Sequence, residues 1–107
     1  MTDNPIRVQV KIFSWFSEAL VPEQRSAMLL EEELPPGSSL RTCFNRLVAR
    51  FARFAEIIYN PRGDVLQVQV VITHNGKLLT GSDRLDLVLQ NGDSIVLIPS
   101  YAGGCKN

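Results

Sequence analysis

The sequence predicts a single α+β domain, a mixed sheet packed on one main helix, with a slender tail behind it. Three observations carry that prediction. IRVQVKIF (6–13) alternates apolar and polar residues, as a strand with one buried face does. After PPGSS (35–39), apolar residues recur at three- and four-residue steps, the spacing of a helix face. SIVLIP (94–99) is apolar without alternation, which suits a strand covered on both faces.

Composition sets the outer limits. A chain of 107 residues is enough for one domain with a small core. Eleven basic residues balance eleven acidic ones, whereas a dedicated nucleic-acid binder usually carries a basic footprint, so no nucleic-acid partner is expected. No apolar run approaches the roughly 18 residues that span a bilayer. The start, MTDNPIRVQV, lacks the charged and apolar regions of a signal peptide. A cytoplasmic location and no membrane partner are therefore expected. Cys43 and Cys105 form no CxxC pair, and the single His74 completes no zinc cluster, so no metal site is expected.

Each element has its own signal. In the first strand Ile6, Val8, Val10 and Ile12 share one parity. SWFSEALVPEQRS (14–26) connects onward, and Trp15, Phe16 and Leu20 are placed to cover a core edge. AMLLEEEL (27–34) reads as a second strand with Met28, Leu30 and Leu34 inward, and Glu31, Glu32 and Glu33 as a solvated edge that discourages edge-to-edge pairing. PPGSS then opens the helix, with Ser38 or Ser39 as its N-cap. Leu40, Phe44, Leu47, Val48, Phe51, Phe54, Ala55 and Ile58 form its apolar face. Arg46, Arg50 and Arg53 form a second stripe, read first as a solvated face and second as a dock for a phosphate or acidic partner. Cys43 borders the apolar face as a small packing residue.

YNPRGD (59–64) breaks the helix. QVQVVIT (67–73) places Val68, Val70 and Ile72 inward, and Asn75-Gly76 closes a tight hairpin that holds His74 as a turn residue. Leu78 and Leu79 follow. Leu85, Leu87 and Leu89 then recur at period two before a second turn at Asn91-Gly92. The order is strand, strand, helix, strand, short strand, strand. The long crossover through the helix lets the first and last strands pair in parallel as central neighbours.

Four segments also carry a family likeness: IRVQVKIFSWFSEAL, LPPGSSLRTCFNRL, VVITHNGKLL and LQNGDSIVLIPSYAGG. Together they resemble the MoaD/ThiS sulfur carriers, a group with the β-grasp, or ubiquitin-like, fold that includes the small subunit of molybdopterin synthase. The resemblance implies a β-grasp domain over residues 1–100 and a flexible tail over 101–107. It implies a carrier protein rather than an enzyme, with no bound cofactor. The functional group is then the Gly104 carboxylate, which a ubiquitin-activating-type adenylyltransferase activates with ATP. Sulfur displaces AMP to leave a thiocarboxylate, which a sulfur-accepting synthase consumes. Ala102, Gly103 and Gly104 would lie in the partner's channel, where residues with little or no side chain permit close approach. Tyr101, a binding residue at the base of the tail, would mark with Pro99 where the folded body ends. Such a carrier docks through an apolar patch on the exposed sheet face.

One feature departs from the pattern. The family ends at its second glycine, whereas Cys105, Lys106 and Asn107 follow Gly104 here. The resemblance then implies cleavage between Gly104 and Cys105 by a JAMM-type zinc peptidase before activation. The alternative is a ubiquitin-like protein modifier or a non-catalytic binding module. The sulfur acceptor, molybdopterin among several, is set by the partner and not by this chain.

Overall fold

The computed structural model describes residues 4–13, 16, 20–21, 26–67, 70–81 and 83–99. A five-stranded mixed sheet is built from β1 (Ile6–Ile12), β2 (Met28–Leu34), β5 (Val70–His74), β6 (Lys77–Leu78) and β7 (Ser94–Pro99). The spatial order is β2-β1-β7-β5-β6. β1 and β7 are central and parallel, while every other pairing is antiparallel. The expected α+β layout and its parallel central pair are therefore present. A small second sheet joins β3 (Tyr59–Asn60) to β4 (Val65–Leu66).

Helix α1 (Leu40–Arg50) lies on one face of the sheet and buries Leu40, Cys43, Phe44 and Leu47. Ser39 is the N-cap: its side chain accepts from the Thr42 amide, satisfying one of the free N–H groups at the helix start. Ser38 instead donates its hydroxyl to the Pro35 carbonyl at 2.7 Å. Beneath the helix the alternating residues of β1, Val8, Val10 and Ile12, are fully buried with Ile72, Ile95 and Leu97.

The expected helix through Ile58 is two helices. α1 stops at Arg50, Phe51 turns extended (φ −129°), and a short α2 (Phe54–Ile57) follows. No glycine or proline marks the break, and tertiary packing accounts for it. Phe54 meets Phe44 edge-on at 5.5 Å, and Tyr59 lies 5.8 Å from the same ring. The redirected chain brings both rings onto Phe44, a geometry aromatic pairs favour.

Three further expectations are corrected. Glu32 is not part of a solvated edge. It shares the inward parity of Met28 and Leu34, is 5% exposed, and pairs with Arg50 of α1. The Leu85–Leu89 stretch is not a strand: a 3-10 turn (Arg84–Asp86) buries Leu85, and a single bridge joins Val88 to Ser39. The short strand is Lys77–Leu78, directly after the Asn75-Gly76 turn. Finally, β7 is fully buried on one face only: Ile95 and Leu97 are buried, whereas Val96 and Ile98 are half-buried. Phe16 and Leu20 are buried as expected, while Trp15 and Val68 lie outside the described residues.

Candidate functional site: the open sheet face and the end of the last strand

The face of the sheet opposite α1 is where β7 departs from expectation. Register sets Leu29, Lys11, Val96, Thr73 and Leu78 in one row across all five strands. A second row begins at Val71 and Ile98, next to the end of β7. Leu29 and Leu78 are 65% and 61% exposed, and Phe13, just past β1, is also exposed. Lys11 reaches over the Phe13 ring, its Nζ 5.5 Å from the centroid. The face is apolar at its centre and carries a cation there. Ordered apolar side chains on an accessible sheet are the usual mark of a protein-binding surface. The unbroken apolar run of SIVLIP was its sequence signal, because Val96 and Ile98 serve this second face.

A polar knot fixes the other end of β7. Asn75 (φ 52°) and Gly76 (φ 87°) form the tight turn between β5 and β6. That left-handed backbone is what asparagine and glycine tolerate. The Asn75 side chain donates to Asp93 Oδ1 at 3.0 Å and accepts from the Ser94 amide at 2.8 Å. Asp93 Oδ2 accepts from the Gln90 amide at 2.8 Å and lies 2.9 Å from His74 Nε2. Burial of the Asp93 carboxyl would raise its pKa. The Gln90, Asn75 and His74 donors outweigh burial and hold it below the usual carboxylate range. His74 is thus a structural partner in a turn, as its position suggested, and the aspartate it holds was not legible in advance.

The predicted arginine stripe is split, with Arg46 and Arg50 on α1 and Arg53 just before α2, and all three are exposed. Arg46 donates to the Glu33 carbonyl at 3.0 Å, Arg50 pairs with Glu32, and Arg53 lies 3.4 Å from Glu56. Each guanidinium already has an acceptor, so the stripe offers little to an external phosphate. On another side of α1, Arg41 clamps Asp64 with two hydrogen bonds, at 2.8 and 3.0 Å. Tyr59 donates to the same carboxylate at 2.6 Å. The Arg41 and Tyr59 hydrogen bonds hold the Asp64 carboxyl low. Cys43 is fully buried, and desolvation pushes its thiol up to about 12, which leaves it unreactive.

Among the described residues, no group of three or more histidine, cysteine or acidic side chains is placed to hold a metal ion. No described helix is long and apolar enough to cross a membrane. The residues singled out in the tail, Tyr101, Ala102, Gly103, Gly104 and Cys105, lie outside the described residues. The last described residue is Pro99, whose neighbour Ile98 belongs to the open face.

Comparison with known proteins supplies the context. A family model described as ThiS family matches residues 10–104. No curated protein matches the sequence. Among solved structures, the chain is similar to small archaeal modifier protein 1 from Methanosarcina acetivorans (20% identity, TM-score 0.71, covering 95% of this chain and 100% of that one). It is also similar to Urm1 from Trypanosoma brucei (19%, TM-score 0.65, 92% and 96%). A Pyrococcus furiosus protein described as molybdopterin converting factor, subunit 1, is 25% identical (TM-score 0.63, 88% and 97%).

Proposed function

This chain belongs to the ThiS family of ubiquitin-like β-grasp proteins, and on that footing we propose that it carries sulfur on Gly104. Its kind is a carrier or modifier, not an enzyme. The observation that carries the finer reading is the extent of the family match, which runs to Gly104 and leaves Cys105, Lys106 and Asn107 beyond it. On this reading the β-grasp body is residues 1–100 and the tail is residues 101–107.

The chemistry requires a free carboxylate at Gly104, so a peptidase of the JAMM zinc type first hydrolyses the bond to Cys105. A ubiquitin-activating-type partner then joins the carboxylate to the α-phosphate of ATP and releases pyrophosphate. Hydrosulfide attacks the activated carbonyl, AMP leaves, and loss of the S–H proton gives the thiocarboxylate. Residues 101–104, fully extended, reach about 14 Å from the body. That is far enough to bring Gly104 to a recessed nucleotide while the body stays outside. The open face around Val96, Ile98 and Phe13 is continuous with the base of this arm and supplies the docking surface.

The test is activation in vitro. Chains ending at Gly104 should support ATP–pyrophosphate exchange by the activating enzyme, and the 107-residue chain should not until it is cleaved. Gly104→Val in the short chain should abolish exchange with folding unchanged. Exchange by the uncleaved chain at the same rate would defeat the reading.

A further inference from the structure

Pro99 ends β7 two residues past the last pair of the central parallel ladder, and its missing N–H faces one neighbour only. Two hydrogen bonds set the phase of the ladder. The Gln9 amide donates to the Asp93 carbonyl at 2.9 Å, and the Phe13 amide donates to the Leu97 carbonyl at 3.1 Å. In a parallel ladder, Phe13 opposite Ile98 would donate to residue 97 and accept from residue 99. The first of these bonds is present. The second needs an amide hydrogen at residue 99, which proline lacks. The β1–β7 register accordingly ends at Ile12 opposite Leu97.

The other side of β7 is indifferent to the proline. There the Asn75 amide donates to the Ser94 carbonyl at 2.8 Å, so even-numbered residues of β7 face β5 with their hydrogen-bonding groups. Val70 opposite Pro99 is therefore a pair that exchanges no hydrogen bonds. A proline in a central strand is normally excluded because it breaks a ladder. Here it breaks only the rung towards β1, at the strand's final residue.

We infer that Pro99 is a positioning residue: by withholding an amide it ends the parallel ladder at Leu97, so no rung at residue 99 ties the end of β7 to β1. The inference rests on the carrier reading, in which residues 101–104 must enter a partner. Its geometry, however, is tested separately. Pro99→Val places an amide opposite the Phe13 carbonyl. Nuclear magnetic resonance on the full chain should show that amide exchanging with solvent at least about tenfold more slowly than an unprotected one, and coupled through a hydrogen bond to Phe13. In the chain ending at Gly104, the same substitution should slow adenylation about two- to tenfold, the range expected for one added backbone hydrogen bond. An N-methylvaline at position 99, installed by semisynthesis, keeps the new side chain and removes the donor, so it should restore the rate. A freely exchanging amide overturns the ladder-stop geometry. A protected amide with an undiminished rate overturns the positioning role. If the unsubstituted chain is never adenylated, the carrier reading fails, and the exchange result still decides the geometry.

Discussion

Replacing Asp93 by asparagine should destabilise the protein by about 2–3 kcal/mol at pH 7. The carboxylate is 6% exposed and takes hydrogen bonds from the Gln90 amide, the Asn75 side chain and His74. Asparagine keeps the volume but offers one acceptor oxygen. Either orientation turns its amide nitrogen towards a donor. Hydrogen bonds to a charged group contribute about 1.5–3 kcal/mol each, and their losses within one network do not add. Losing one bond and weakening the others gives the stated range. Urea unfolding measures it, with the midpoint moving and the slope unchanged. The pH dependence has a definite sign. Because the folded carboxyl lies below its unfolded value, the unfolded chain binds the proton more readily. The stabilisation is therefore complete above the unfolded value, about pH 4, and is lost as pH falls through the lower folded value. The gap between parent and variant should shrink on acidification below about pH 4. A gap under about 0.5 kcal/mol at pH 7, or one that stays constant to low pH, would refute the account of this knot.

Three other outcomes follow from the same structure. Arg50→Ala leaves the buried Glu32 without its partner and should cost about 1–3 kcal/mol by urea unfolding, less than for a wholly buried pair because Arg50 is 46% exposed. Glu32→Leu made together with Arg50→Ala should recover much of that loss. Cys43, with its thiol pushed up to about 12, should resist iodoacetamide at pH 8 in the native protein and react once unfolded, as read by peptide mass spectrometry. Val96→Asp, on the open face, should leave the protein folded by circular dichroism and weaken binding to the activating enzyme at least about tenfold, measured by calorimetry.

Much of the fold was legible because it rests on local periodicity. Val8, Val10 and Ile12 mark the buried side of β1 by parity alone, and Asn75-Gly76 announces its turn through the backbone it requires. What escaped depends on contacts distant in sequence. The break at Phe51 has no local breaker, and it follows from Phe54 and Tyr59 converging on Phe44. Glu32 reads as solvated until α1 brings Arg50 over it. Asp93 gains its role only when Asn75 and His74, 18 and 19 residues away, fold against it. The apolar side of β7 was visible as composition but not as exposure, since a run such as SIVLIP does not say which face a partner covers. The glycine pair was the reverse case: its place after an apolar strand and a proline was plain in the sequence, and on the proposed reading its chemistry belongs to the partner.

The central claim is that Gly104 becomes a thiocarboxylate after the chain is cut behind it. Intact mass of the protein purified from its native host tests this most directly. The account predicts a species lacking Cys105, Lys106 and Asn107, with one terminal oxygen replaced by sulfur, and its return to the plain carboxylate after hydrolysis. A population that retains all three residues under every growth condition would contradict it.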